Sequence, residues 1–144
     1  MHSFLANLEN NGSEVNSQMR EPREGIPWSH GRVRRRQTYL TWMESQEWLD
    51  YRAMWRLRWM EVTGAEPFCL VCLKSWDLRS GDLHHRSYSN LGHEKFQDLI
   101  PLCRSCHKKL HHVLESSPAW RRLTRAQASD TIVLKLRHFA IAGE

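Results

Sequence analysis

Cys69-Leu-Val-Cys72 and Cys103-Arg-Ser-Cys106-His107, with His84-His85 between them, are the stretches whose reading decides the fold. Two Cys-x-x-Cys pairs, 30 residues apart, can set four thiolates tetrahedrally around zinc, each pair supplying one tight turn. They use every cysteine in the chain. The histidines around them suggest a second metal site, so the pattern reads as one structural centre and one catalytic centre.

A length of 144 residues is one domain's worth, and 40% hydrophobic content is modest, so a metal tie would help a small core hold together. The formal charge of +5 favours a polyanionic partner such as nucleic acid. Residues 1–29 lack the apolar core of a secretory signal, and no apolar run approaches membrane-spanning length. The expected location is therefore the cytoplasm, where paired Cys-x-x-Cys units bind metal more often than they form disulfides.

Residues 1–36 are polar, carry Pro22 and Pro27, and have no helical or strand period, which predicts a flexible arm. The arm ends in Arg32-Val33-Arg34-Arg35-Arg36, a cluster able to follow a phosphate backbone or simply to be solvated. From Ser45 to about Thr63, Trp48, Tyr51, Trp55, Trp59 and Val62 recur at three- and four-residue steps. That predicts an amphipathic helix with Ser45 as N-cap, Gly64 as stop, a core-facing aromatic stripe, and Arg52, Arg56 and Arg58 tending to solvent. Ser80-Gly81-Asp82 reads as a turn into the histidines, within a short two-stranded hairpin. Pro101 argues against a central strand. A helix should begin near Cys106 and end at Ser116-Ser117-Pro118, and Ala128, Ile132, Leu136 and Phe139 mark another in the tail. The division is thus an arm (1–36), a central domain (37–115) and a helical tail (116–144).

Imidazole suits divalent transition metals and, when neutral and unengaged, is the commonest general base near neutral pH. His107 and His111 are four apart, so on one helix they share a face and reach a single ion together. His84 and His85 are adjacent, and strand neighbours face opposite ways; both serve one site only at a strand's distorted end.

Leu83-His84-His85-Arg86-Ser87-Tyr88, Gly92-His93-Glu94 and Asp98-Leu99-Ile100-Pro101-Leu102-Cys103-Arg104-Ser105-Cys106-His107, ending at His111, resemble the HNH endonucleases that carry a four-cysteine zinc site. Trp48 and Arg52 resemble the helix leading into that motif, and the likeness covers about residues 39–112. It implies an α+β fold: a small, zinc-stapled ββα-metal, treble-clef-like domain flanked by helices, its hairpin and helix clamping one divalent ion.

The resemblance also implies roles. His85 falls at the general base, His84 at the preceding metal ligand, and His107 at the helical ligand. His111 matches a second helical histidine found in some members, such as the colicin nucleases. Asp98 stands where the family has a bracing asparagine; ionised, it accepts hydrogen bonds but cannot donate them, so its bracing must differ. His93 stands where many similar sequences have asparagine. Arg86 and Arg104 would steady neighbouring phosphates, with Arg34, Arg35 and Arg36 adding to the nucleic-acid surface.

Read as residues alone, each has a plainer alternative. His85 and His84 can be core or zinc-shell histidines, His107 a helix cap, His111 a surface residue, Asp98 a loop hydrogen-bonder, and Arg86 and Arg104 solvated charges.

The expected function is metal-dependent hydrolysis of DNA in a bacterial or phage-infected cell, with structural zinc on Cys69, Cys72, Cys103 and Cys106. Magnesium, manganese, nickel or zinc would serve as the catalytic cation, and DNA is the expected partner, with no membrane. A lone HNH site cuts one strand, so double-strand cleavage requires a homodimer or two events, and phage packaging or restriction partners are open. The competing readings are a catalytically silent zinc module that binds nucleic acid and a zinc-stapled protein-interaction domain.

Overall fold

The computed structural model describes residues 32–143, with side chains from Thr38 onward. Most of the expected arm, and the side chains of Arg34, Arg35 and Arg36, lie outside the described residues.

Helix α1 (Arg32–Met43) begins where the arm was expected to continue. Arginine and glutamine are good helix formers, and the turn after them carries Tyr39 and Trp42, whose rings meet the core. Helix α2 (Gln46–Thr63) follows the sequence expectation closely. Ser45 Oγ accepts the Trp48 amide, and Gly64, at φ 70°, donates its amide to Met60 O. Trp48, Trp55 and Trp59 are buried on one face of α2. Arg52 corrects the solvent-facing expectation: its guanidinium donates to Leu78 O and Gly81 O, tying α2 to the start of the hairpin.

Strands β1 (Gly81–His85) and β2 (Leu99–Cys103) pair antiparallel, with Leu83 opposite Pro101 and His85 opposite Leu99. A proline is tolerated because each strand of a two-stranded sheet has a free edge. Here the carbonyl of Pro101 turns outward and accepts the Leu70 amide, fastening the first cysteine pair to β2. The turn expected at residues 80–82 lies two residues earlier, at 78–80. Asp77 caps it by accepting the amides of Arg79 and Ser80, while Gly81 and Asp82 already belong to β1. At Gly81 a Cβ would overlap the Trp76 indole, which donates to Asp82 O at 2.9 Å, so only glycine lets strand and ring approach so closely.

Helix α3 (Arg104–Ser116) starts straight from β2, with Cys103 as N-cap. Helix α4 (Arg125–Ala142) is opened by Thr124 and Gln127 in a reciprocal capping box. Ala128 and Ile132 are buried as expected, but Phe139 is 70% exposed, because α4 runs past the core before that turn. The tail is not a separate segment: Ile132 and Val133 belong to the same core as Trp55, Leu99 and Leu110. The fold is α+β, a two-stranded sheet with α3 on one side, bracketed by α1 and α2 before it and α4 after. Among the described residues no helix is long and apolar enough to cross a membrane.

Candidate metal centres

Cys69 and Cys72 sit on a knuckle between Phe68 and Ser75, which bridge antiparallel; Cys69 N donates to Lys74 O and Leu73 N to Cys69 O. Leu73 adopts φ 61°, the left-handed conformation that closes the turn. Cys103 and Cys106 flank the junction of β2 and α3. The four thiols are free, and their sulfurs lie within 4.8 Å of one another. Zinc–sulfur bonds of about 2.3 Å in a tetrahedron require sulfurs about 3.8 Å apart. Cys72 and Cys103 stand at 3.7 Å, so the cluster has the dimensions of a metal site, consistent with zinc.

A second cluster is built from β1 and α3. His84 projects from β1 toward α3, whose His107 and His111 face it one turn apart, all three offering ring nitrogens within 4.8 Å. Asp82 Oδ2 lies 3.0 Å from His107 Nδ1 and so turns His107 Nε2 toward His111 Nε2, 3.1 Å away. Two imidazole nitrogens sharing a tetrahedral ion at about 2.05 Å would stand about 3.3 Å apart. His84 is fully buried, with Nε2 held 2.9 Å from Ser129 Oγ and Nδ1 without a hydrogen-bond partner. A buried nitrogen left bare beside two converging imidazoles fits a metal ion. Burial, with repulsion from His107, Arg125 and His111 behind it, pushes His84 down to about 2, and burial also lowers His111. Both therefore stay neutral near neutral pH, the state a ligand needs. The hydrogen bond to His107 outweighs burial and holds Asp82 below the usual carboxylate range.

His85 turns to the other side of β1 and is not in this cluster. Its ring stacks on Trp48 at 5.2 Å between centroids, with Tyr88 and Tyr39 closing the remaining sides, and is 2% exposed. His85 Nε2 lies 3.0 Å from Glu94 Oε1, which also accepts from Trp42 Nε1 at 2.7 Å. Tyr51 donates to the carbonyl of Glu94, so α1 and α2 together press the loop carrying Glu94 against His85.

The other expected site residues fall into two groups. Asp98 Oδ2 accepts from Asn90 Nδ2 and Lys95 N, which closes the loop carrying Glu94. Arg104 is exposed beside the histidines, on an open cleft of about 550 Å3 with Asp82, His107, Lys108 and His111. Arg86, in contrast, is bound bidentately by Asp130 of α4 and donates to Gln97 O, so its guanidinium is engaged within the fold.

Four residues that the sequence did not mark lie against these side chains: Asp82 behind His107, Ser129 behind His84, Glu94 behind His85, and Arg125. Arg125, in the first turn of α4, donates to His85 O and Tyr88 Oη and lies 4.5 Å over the Tyr88 ring. Only the Gly-x-Glu element of the motif could have pointed to Glu94. The chain thus contains a ββα region with a four-cysteine cluster and a three-histidine cluster able to hold metal ions. It has no match among family models, curated proteins or solved structures.

Proposed function

We propose that this chain is a metal-dependent endonuclease of the HNH type acting on DNA. The observation that carries the reading is the convergence of His84, His107 and His111 from β1 and α3 on a hairpin fastened by the cysteine cluster. A divalent cation held by His84, His107 and His111 would supply Lewis acidity for phosphodiester hydrolysis.

The chain's own groups do the rest. Glu94 accepts the Nε2 proton of His85, which leaves Nδ1 as the basic nitrogen, so His85 takes the proton of the attacking water there. The ring is enclosed, so this role requires Tyr39 or Tyr88 to give way to water. Arg104 and Lys108 on the cleft rim meet the phosphates, while Arg125, bound to His85 O and Tyr88 Oη, holds the base in place. The formal charge of +5 favours a polyanion.

The near-complete burial of His85 favours a second reading, a zinc module that binds nucleic acid without cutting it. Supercoiled-plasmid cleavage by wild type and His85→Ala separates them, run with magnesium, manganese, nickel and zinc, chelator controls and matched zinc content. Metal-dependent nicking lost in a folded His85→Ala protein supports the nuclease. Tight plasmid binding without cutting by any metal supports the silent module.

A further inference from the structure

We propose that Ser129, on the C-terminal helix α4, is a positioning residue of the histidine centre: its hydroxyl holds His84 in the tautomer that aims a bare Nδ1 at the ion. The inference rests on the metal-site reading above and adds a component from outside the ββα region.

Three observations converge on it. His84 and Ser129 are both completely buried, and the 2.9 Å contact between His84 Nε2 and Ser129 Oγ is the hydrogen bond each side chain makes. His84 Nδ1 is buried without a partner. A neutral imidazole carries one proton, and an orphaned buried N–H is rarer than an orphaned acceptor. The proton therefore belongs on Nε2, donated to Ser129, and the lone pair stays on Nδ1, the nitrogen left for an ion shared with His107 and His111, whose rings lie 5.3 and 5.1 Å away. The other buried residues of α4, namely Ala128, Ile132 and Val133, are apolar, so a hydroxyl at this one position is singled out by what it meets.

The delivery of that hydroxyl is itself built in. Asp130 of α4 grips Arg86 just beyond β1, and Arg125, one turn before Ser129, donates to the carbonyl of His85. The first two turns of α4 are thus fastened to the end of β1, with Ser129 aimed at the histidine within it. Asp82 does the equivalent for His107 from within the hairpin. Hydrogen bonds of this kind fix ligand tautomers in metal sites, and their loss commonly weakens binding 10- to 100-fold.

The test uses the full chain with zinc retained on the cysteines. Long-range proton–nitrogen NMR of the histidine rings, with His84 assigned by its absence in His84→Asn, reads the tautomer directly. Wild type should carry its proton on Nε2, whereas Ser129→Ala should populate both tautomers. Calorimetric titration with nickel should give one site in wild type and an affinity about 10- to 100-fold weaker in Ser129→Ala, at unchanged zinc content. Asp130→Asn, which loosens α4 but leaves the hydroxyl, should keep the wild-type tautomer. A proton on Nδ1 in wild type overturns the proposal without any variant. So do an unchanged nickel affinity in Ser129→Ala and an equal change of tautomer in Asp130→Asn. If wild type takes up no nickel beyond its zinc, the metal-site reading itself fails, which is a separate outcome.

Discussion

Asp82 and His107 meet at 3.0 Å across the junction of strand and helix, carboxylate Oδ2 against ring Nδ1. The contact fixes which nitrogen of His107 faces the centre. It also couples the first turn of α3 to the start of β1. Asp82→Ala should therefore weaken binding of a nickel or cobalt probe at the histidine cluster by about 10- to 100-fold while leaving one zinc per chain. Calorimetry with parallel elemental analysis measures both, and an unchanged probe affinity would remove Asp82 from the site.

Cys103 belongs to a cluster that joins the knuckle after α2 to the start of α3. Replacing it with serine should release the ion the cluster holds, expected to be zinc, and abolish the cooperative melting transition, since a structural metal site supplies folding free energy directly. Retained zinc with an unchanged thermal melt would show that three thiolates suffice.

Gly81 lies against the Trp76 ring on a strand paired with Cys103. Gly81→Ala must push apart an indole that is 2% exposed and hydrogen-bonded to the same strand. The expected loss is about 1–3 kcal/mol, from overpacking. Urea denaturation would reveal it as a lower midpoint with an unchanged slope.

Acidification should act through His84. Its folded-state pKa is depressed to about 2, so the folded protein keeps the ring neutral while the unfolded chain takes up a proton below about 6.5. Stability is thus greatest above the unfolded value and falls as the pH drops below it, by up to about 1.4 kcal/mol per pH unit. Denaturant melts of wild type and His84→Asn at pH 7.0 and 5.0 isolate the contribution, because effects of acid on the cysteine cluster are common to both. Equal pH slopes would contradict it.

How far the sequence could be read follows from the range of the interactions. Helix α2 was legible from Ser45, Gly64 and the tryptophan stripe because caps and periodicity are local signals. The cysteine cluster and the His107–His111 pair were legible because spacing on a turn or helix sets their geometry. Ser129, Asp82 and Arg125 were not, since their roles arise from the docking of α4 and the register of β1, which local patterns do not encode. The same holds for Arg86, whose partner Asp130 lies 44 positions away, and for Arg52, whose acceptors are carbonyls across the fold. Helix α1 escaped notice because a run of arginines looks alike in a helix and in a solvated arm until Trp42 finds Glu94.

Cys106 and His107 are consecutive on α3, one thiol turned to the first cluster and the next side chain to the second. The turn that aims His107 is thus the turn the thiolates hold in place. An ion taken up by the four thiols would therefore brace the histidine cluster as well, and stripping it should loosen both.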